Sequence, residues 1–173
     1  LWIEADDFMQ EPVKGFFRLY PPMGDQPGSR VRLRHGFVVE CAGFETDANG
    51  NVTQVNVIHF ADSKSGTPGS NNYKVKGNIH WISAAEAIPT EVRLYDHLFT
   101  DPHPDSGDKN FLDAINTNSK QTISAYIEPC MKDVKAEDRF QFERHGYFVA
   151  DQKDSKPGKP VFNRTVGLKD SWK

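Results

Sequence analysis

A chain of 173 residues with a formal net charge of −3, 37% hydrophobic residues and two cysteines excludes several classes of protein at once. The acidic excess argues against a sequence-blind nucleic-acid binder, whose affinity rests on many phosphate contacts, and leaves a specific one open. Cys41 and Cys130 are too few for a disulfide framework or a cysteine zinc site and point to a reducing cytosol, and no run of about 18 apolar residues is available to span a membrane.

Taken in order, the chain reads as short strands punctuated by turns. Leu1 to Glu4 already looks like strand, from which a piece of a longer polypeptide is expected. Ala5 to Met9 predicts a short turn, and Lys14 to Tyr20 an extended aromatic segment closed by Pro21-Pro22. Val31 to Glu45 alternates well enough for one long strand, which would put Arg32 and Arg34 on one face. A solvated strand face would explain the same pattern. Asp47 to Asn51 supplies residues that tolerate φ > 0, so Val52 to Phe60 should return as the second strand of a hairpin.

Asp62 to Asn72 is polar and rich in Gly, Ser and Pro, and predicts a mobile hairpin tip; its spacing fails the phosphate-loop pattern. Lys76 to Trp81 reads as a strand. Ser83 and Glu86 have capping-box spacing ahead of Pro89, predicting one helical turn. Alternation resumes at Glu91, where Val92-Arg93-Leu94 echoes Val31-Arg32-Leu33. This short internal repeat hints at two similar β units. Asn110 to Ile115 should make one or two helical turns and Thr122 to Glu128 a strand. Phe140 to Arg144 alternates strictly, with the two Phe facing the core and Gln141, Glu143 and His145 facing out. A bend at Gly146 would bring Arg144 to the Gln141 side before Tyr147 to Ala150 continues the strand. Val161 to Leu168 closes the fold.

No catalytic constellation emerges. The six histidines show no H-x-x-x-H spacing, no G-x-S-x-G elbow is present, and Cys41 sits in a Val/Phe-rich strand where a buried, inert thiol is expected. A binding module fits better than an enzyme.

Three segments, Lys76 to Phe99, Phe140 to Asp151 and Val161 to Trp172, together resemble the C-terminal anticodon-binding region of bacterial-type glutaminyl-tRNA synthetases. The resemblance covers essentially the whole chain. It implies two antiparallel β-barrels with short helical turns and a strand exchanged between them: residues 1–89 as the distal barrel, with the first residues able to contribute to the other, and residues 90–173 as the proximal one. It further implies a class I ligase whose catalytic half binds ATP and glutamine. The H-I-G-H and K-M-S-K-S type signatures of that half are not in this chain, so no cofactor and no catalysis are expected here.

The implied partners are the anticodon loop of tRNA for glutamine and the catalytic half of the same polypeptide, in a cytoplasmic monomer with no membrane contact. By the same resemblance Arg18 matches the reader of the third anticodon base, a guanine, whose O6 and N7 suit a guanidinium fork. Arg32 and Arg34 match residues at the first base and its phosphate, and Gln141 and Arg144 match residues at the middle base, a uracil, to which an amide can both donate and accept. Lys14 and Lys169 complete the implied tRNA contacts, and Phe16, Phe17 and Tyr20 can either stack on bases or pack in the core. Two alternatives stay open: the related barrels of archaeal and eukaryotic glutamyl-tRNA synthetases, and a noncatalytic RNA-binding barrel.

Overall fold

The computed structural model describes residues 1–168, so Lys169 lies outside the described residues. The chain is mainly β and divides into two compact units, Leu1–Ala84 and Ala85–Lys173, each with its own sheet and core. Antiparallel pairing dominates, and each sheet also contains one parallel pair.

In the first unit, strands β1 (Arg30–Leu33), β2 (Val38–Thr46), β3 (Val52–Phe60) and β4 (Gly77–Ile79) lie in the order β3-β2-β1-β4. The Asp47 turn closes β2 on β3 as expected: its carboxylate accepts from the backbone N–H of Asn49 and Asn51 at 2.9 and 2.8 Å, and Gly50 takes φ +83°, the conformation glycine adopts without steric cost. Leu19, Val31, Leu33, Val39, Cys41 and Ile79 form the core. Cys41 is buried in it, and that burial raises its thiol pKa.

The predicted single strand from Val31 to Glu45 is two strands. A turn at residues 34–36 folds β2 back on β1, with His35 at φ +56°, so Arg34 leaves the ladder and does not share a strand face with Arg32. The predicted hairpin tip at residues 62–72 is likewise a built connection. It holds two 3-10 turns, Ala61–Ser63 and Pro68–Asn72, and leads to β4, which pairs in parallel with β1 rather than with β3. Ser63, fully buried, accepts from Val38 N–H at 2.7 Å and donates to the Phe60 carbonyl. The helical turn expected at Ser83 is a plain turn over residues 84–86. Ile82 is bridged to Trp2 and the next strand opens at Ile88, which leaves too few residues for a helix to nucleate.

The second sheet runs β6-β5-β9-β8-β7, with β5 (Ile88–Tyr95), β6 (Lys120–Ile127), β7 (Arg139–Phe142), β8 (Gly146–Ala150) and β9 (Val161–Val166). Phe162, Phe148, Val92, Ile127 and Ala150 are its core, with Phe140 and Phe142 packed on them. The implied strand exchange is not seen among the described residues, since each sheet draws all its strands from one unit.

The short internal repeat has a structural counterpart. Both Val-Arg-Leu strands lie between an antiparallel and a parallel neighbour, and in both the Arg stands opposite an Asn of the parallel strand: Arg32 opposite Asn78, Arg93 opposite Asn163. Each Arg also ties down a loop of its own unit.

Candidate nucleic-acid interface

In the first unit, Arg18 lies in an irregular segment rather than a strand. Its Nε is 3.2 Å from a carboxylate oxygen of Asp7, and its Nη1 donates to the Asp6 carbonyl at 2.9 Å. Asp7 is 0% exposed and the Arg18 side chain 37%. The guanidinium is therefore anchored from below by a buried charge, which fixes its direction. Lys14 is exposed beside Gly15, which takes φ +90°. Phe17 is 53% exposed and carries the Lys76 ammonium 5.0 Å above its ring, a cation-π contact that leaves Phe17 outside the core. Phe16 and Tyr20 are half-buried.

Arg32 is spent on the backbone. Its Nη1 donates to the Ser63 carbonyl at 2.6 Å and its Nη2 to the Ser70 carbonyl at 3.1 Å, so this side chain closes the 61–72 connection onto β1. Arg34 is half-buried in the turn; its N–H donates to the Ile79 carbonyl and its own carbonyl accepts from the Trp81 indole, both at 2.9 Å.

In the second unit, the expected single strand through Gly146 is a hairpin. Residues 143–145 are the turn, Arg144 takes φ +71° and Gly146 φ +135°, and β8 returns antiparallel to β7. A Cβ at Gly146 would lie 2.3 Å from the Val166 carbonyl oxygen, so only glycine fits there. Gln141 is exposed on β7. Glu143 and His145 do not share its strand face, because they are turn residues. Its cross-strand partner is Tyr147, 47% exposed. Directly opposed residues share a sheet face, so an amide and an aromatic ring stand side by side, one pair away from the turn that carries Arg144.

Sequence reasoning missed a polar network in the second unit. Arg93 meets Glu91 at 2.6 Å, Asp151 at 3.3 Å and Asp154 at 2.6 Å. Asp151 also accepts from the Asn163 amide at 2.7 Å, and Asn163 in turn accepts from the Tyr95 hydroxyl at 2.9 Å. The Asn163 amide, the N–H groups of Asp154 and Lys153, and the Arg93 charge hold the Asp151 carboxyl at a pKa of about 2, against about 3.9 in an unfolded chain. A depressed folded pKa stabilises above the unfolded value, and that contribution is lost as pH falls through the folded value. The stability difference between the wild type and Asp151→Asn should therefore be full at pH 5 and shrink steadily between pH 4 and pH 2, as read by urea unfolding. The only sequence signal for this network was the Val-Arg-Leu echo.

Residues 78–151 match the family model for the anti-codon binding domain of class I tRNA synthetases (E and Q). The whole chain is 91% identical to a glutamine-tRNA ligase of Polynucleobacter necessarius subsp. necessarius. Over 99% of its length it is 64% identical to one of Ralstonia pickettii and 56% identical to one of Bordetella avium. It spans about 29% of the length of the first two relatives and 28% of the third. Over residues 78–151 the chain carries the anti-codon binding domain of the class I tRNA synthetases (E and Q), and over its whole length it is similar to a part of glutamine-tRNA ligases.

Proposed function

We propose that the chain grips the anticodon loop of a glutamine tRNA and reads its bases for a glutamine-tRNA ligase, a cytoplasmic monomer whose remaining part binds ATP and glutamine and joins the amino acid to the tRNA. The observation that carries this reading is the exposed Gln141 beside the exposed Tyr147, within the segment that matches the anticodon-binding model. A splayed base can stack on the Tyr147 ring while the Gln141 amide pairs with its edge, the usual manner of single-stranded RNA recognition. Arg144 serves the same base from the turn.

Arg18, aimed by Asp7, takes the third base. Arg34 takes the first base, and Arg32 supports it by holding the neighbouring connection in place. Lys14 and Lys169 contact phosphates. The first unit then corresponds to the distal barrel and the second to the proximal one. Glutamine codons fix the middle and third anticodon bases and allow two choices at the first, so the Gln141 and Arg18 sites are strict and the Arg34 site is tolerant.

Filter binding with tRNAs altered at one anticodon base tests the assignment. Gln141→Ala should lose about 1–3 kcal/mol of discrimination at the middle base only, and Arg18→Ala a similar amount at the third base. Unchanged discrimination in either variant removes that residue from the reading set. Stronger binding of a glutamate tRNA than of a glutamine tRNA would move the chain to the glutamyl branch.

A further inference from the structure

The loop between β8 and β9 carries three lysines, Lys153, Lys156 and Lys159, all exposed. Paired backbone hydrogen bonds between Lys156 and Lys159 at 3.1 and 2.9 Å shape its tip, with Gly158 at φ +73°. The loop base is built as well. Ser155 both donates to the Val161 carbonyl and accepts from its N–H, at 2.9 and 3.0 Å, and the two acids of the loop, Asp151 and Asp154, are drawn onto Arg93. Among the described residues no carboxylate pairs with any of the three ammonium groups. The loop carries three lysines against those two acids, so with both acids paired to Arg93 the tip keeps a net positive charge, in a chain whose net charge is −3. A net positive tip on an acidic chain is a focused electrostatic feature rather than a share of a general basic field.

We propose that this loop is a second RNA-contact site, at which Lys153, Lys156 and Lys159 bind the sugar-phosphate backbone of the tRNA away from the anticodon bases, with Arg93 as the residue that positions the loop. It rests on the anticodon-binding reading and adds a sequence-independent contact to it. The loop leaves the far end of β8 from the Arg144 turn, five residues of strand away, on the order of 15 Å at about 3.3 Å per residue. A lysine there cannot reach the base held by Gln141, but it can meet the phosphates of flanking nucleotides. Ammonium groups suit that role because they act as point charges without demanding a fixed edge.

The test is the salt dependence of tRNA binding by the 173-residue chain, compared with the triple variant Lys153→Gln, Lys156→Gln, Lys159→Gln and with the matching triple Lys→Arg variant. Each lost phosphate contact should lower the slope of log affinity against log salt by about 0.7 to 1. The Gln triple should therefore lose a slope of about 2 or more while keeping its discrimination between intact and altered anticodons, and the Arg triple should keep both. An unchanged slope in the Gln triple overturns the loop site and leaves the anticodon reading standing. Lost base discrimination in the Gln triple also overturns it, by placing the lysines at the bases. A wild-type chain that binds the tRNA without any anticodon discrimination overturns the anticodon reading instead, and the loop site stands or falls by the slope alone.

Discussion

Arg18→Ala is expected to lower the stability of the first unit by about 3 kcal/mol, the low end of the cost of removing one partner of a buried ion pair. Asp7 is 0% exposed and takes the Arg18 Nε at 3.2 Å, so the truncation leaves a buried carboxylate without its guanidinium. The low end applies because the Arg18 side chain is 37% exposed and water can enter where it stood. The double variant Asp7→Asn with Arg18→Ala should recover part of the loss, because the amide removes the buried charge. Urea unfolding followed by fluorescence reads both. A loss under about 1 kcal/mol, the size of an exposed pair, would show that Asp7 does not hold Arg18. Base discrimination by Arg18→Ala must therefore be measured well below its unfolding midpoint, where a lost base contact is not confused with a lost fold.

Phe162→Ala should cost about 3–5 kcal/mol in the second unit, the range for emptying a large aromatic site in a core. Phe162 is 0% exposed. It meets the rings of Phe140 and Phe142 edge-on, with centroids 5.8 and 5.1 Å away, and it pairs across the ladders with Val92 and Ala150. The same two Phe side chains form the inner face of the strand whose outer face carries Gln141. Loosening them should cost middle-base discrimination along with stability, and Phe162→Leu, which leaves a smaller void, should lose less of both. An unfolding midpoint unmoved by Phe162→Ala would contradict this core assignment.

How much could be read in advance depended on where the information lay along the chain. The β2–β3 hairpin was legible because Asp47, Asn49 and Gly50 announce a turn by residue type. The β1–β2 and β7–β8 hairpins were not. Their turns place φ near +60° to +70° on His35 and Arg144, which are not glycines, so alternation runs through them unbroken and each hairpin reads as one strand. This error put Arg32 and Arg34 on one face and gave Glu143 and His145 a place beside Gln141.

The Val-Arg-Leu repeat was visible as letters, but its meaning was not. The Asn across from each Arg belongs to a parallel partner, Asn78 for Arg32 and Asn163 for Arg93, and parallel pairing of strands distant in sequence leaves no local period to find. The ion pairs of Arg93 left no local signal, because Asp151 and Asp154 lie far along the chain. Asp7 lies in the short turn expected at Ala5 to Met9, and proves to be the buried anchor of Arg18. Resemblance supplied the candidate readers; the structure added what orients them.

The most direct measurement is the affinity of the wild-type chain for a glutamine tRNA against the same tRNA with its middle anticodon base replaced, at one fixed salt concentration. The account predicts weaker binding of the altered tRNA by about 1–3 kcal/mol, roughly 5- to 150-fold, and loss of that difference in Gln141→Ala. Equal affinity for the two tRNAs in the wild-type chain would contradict it.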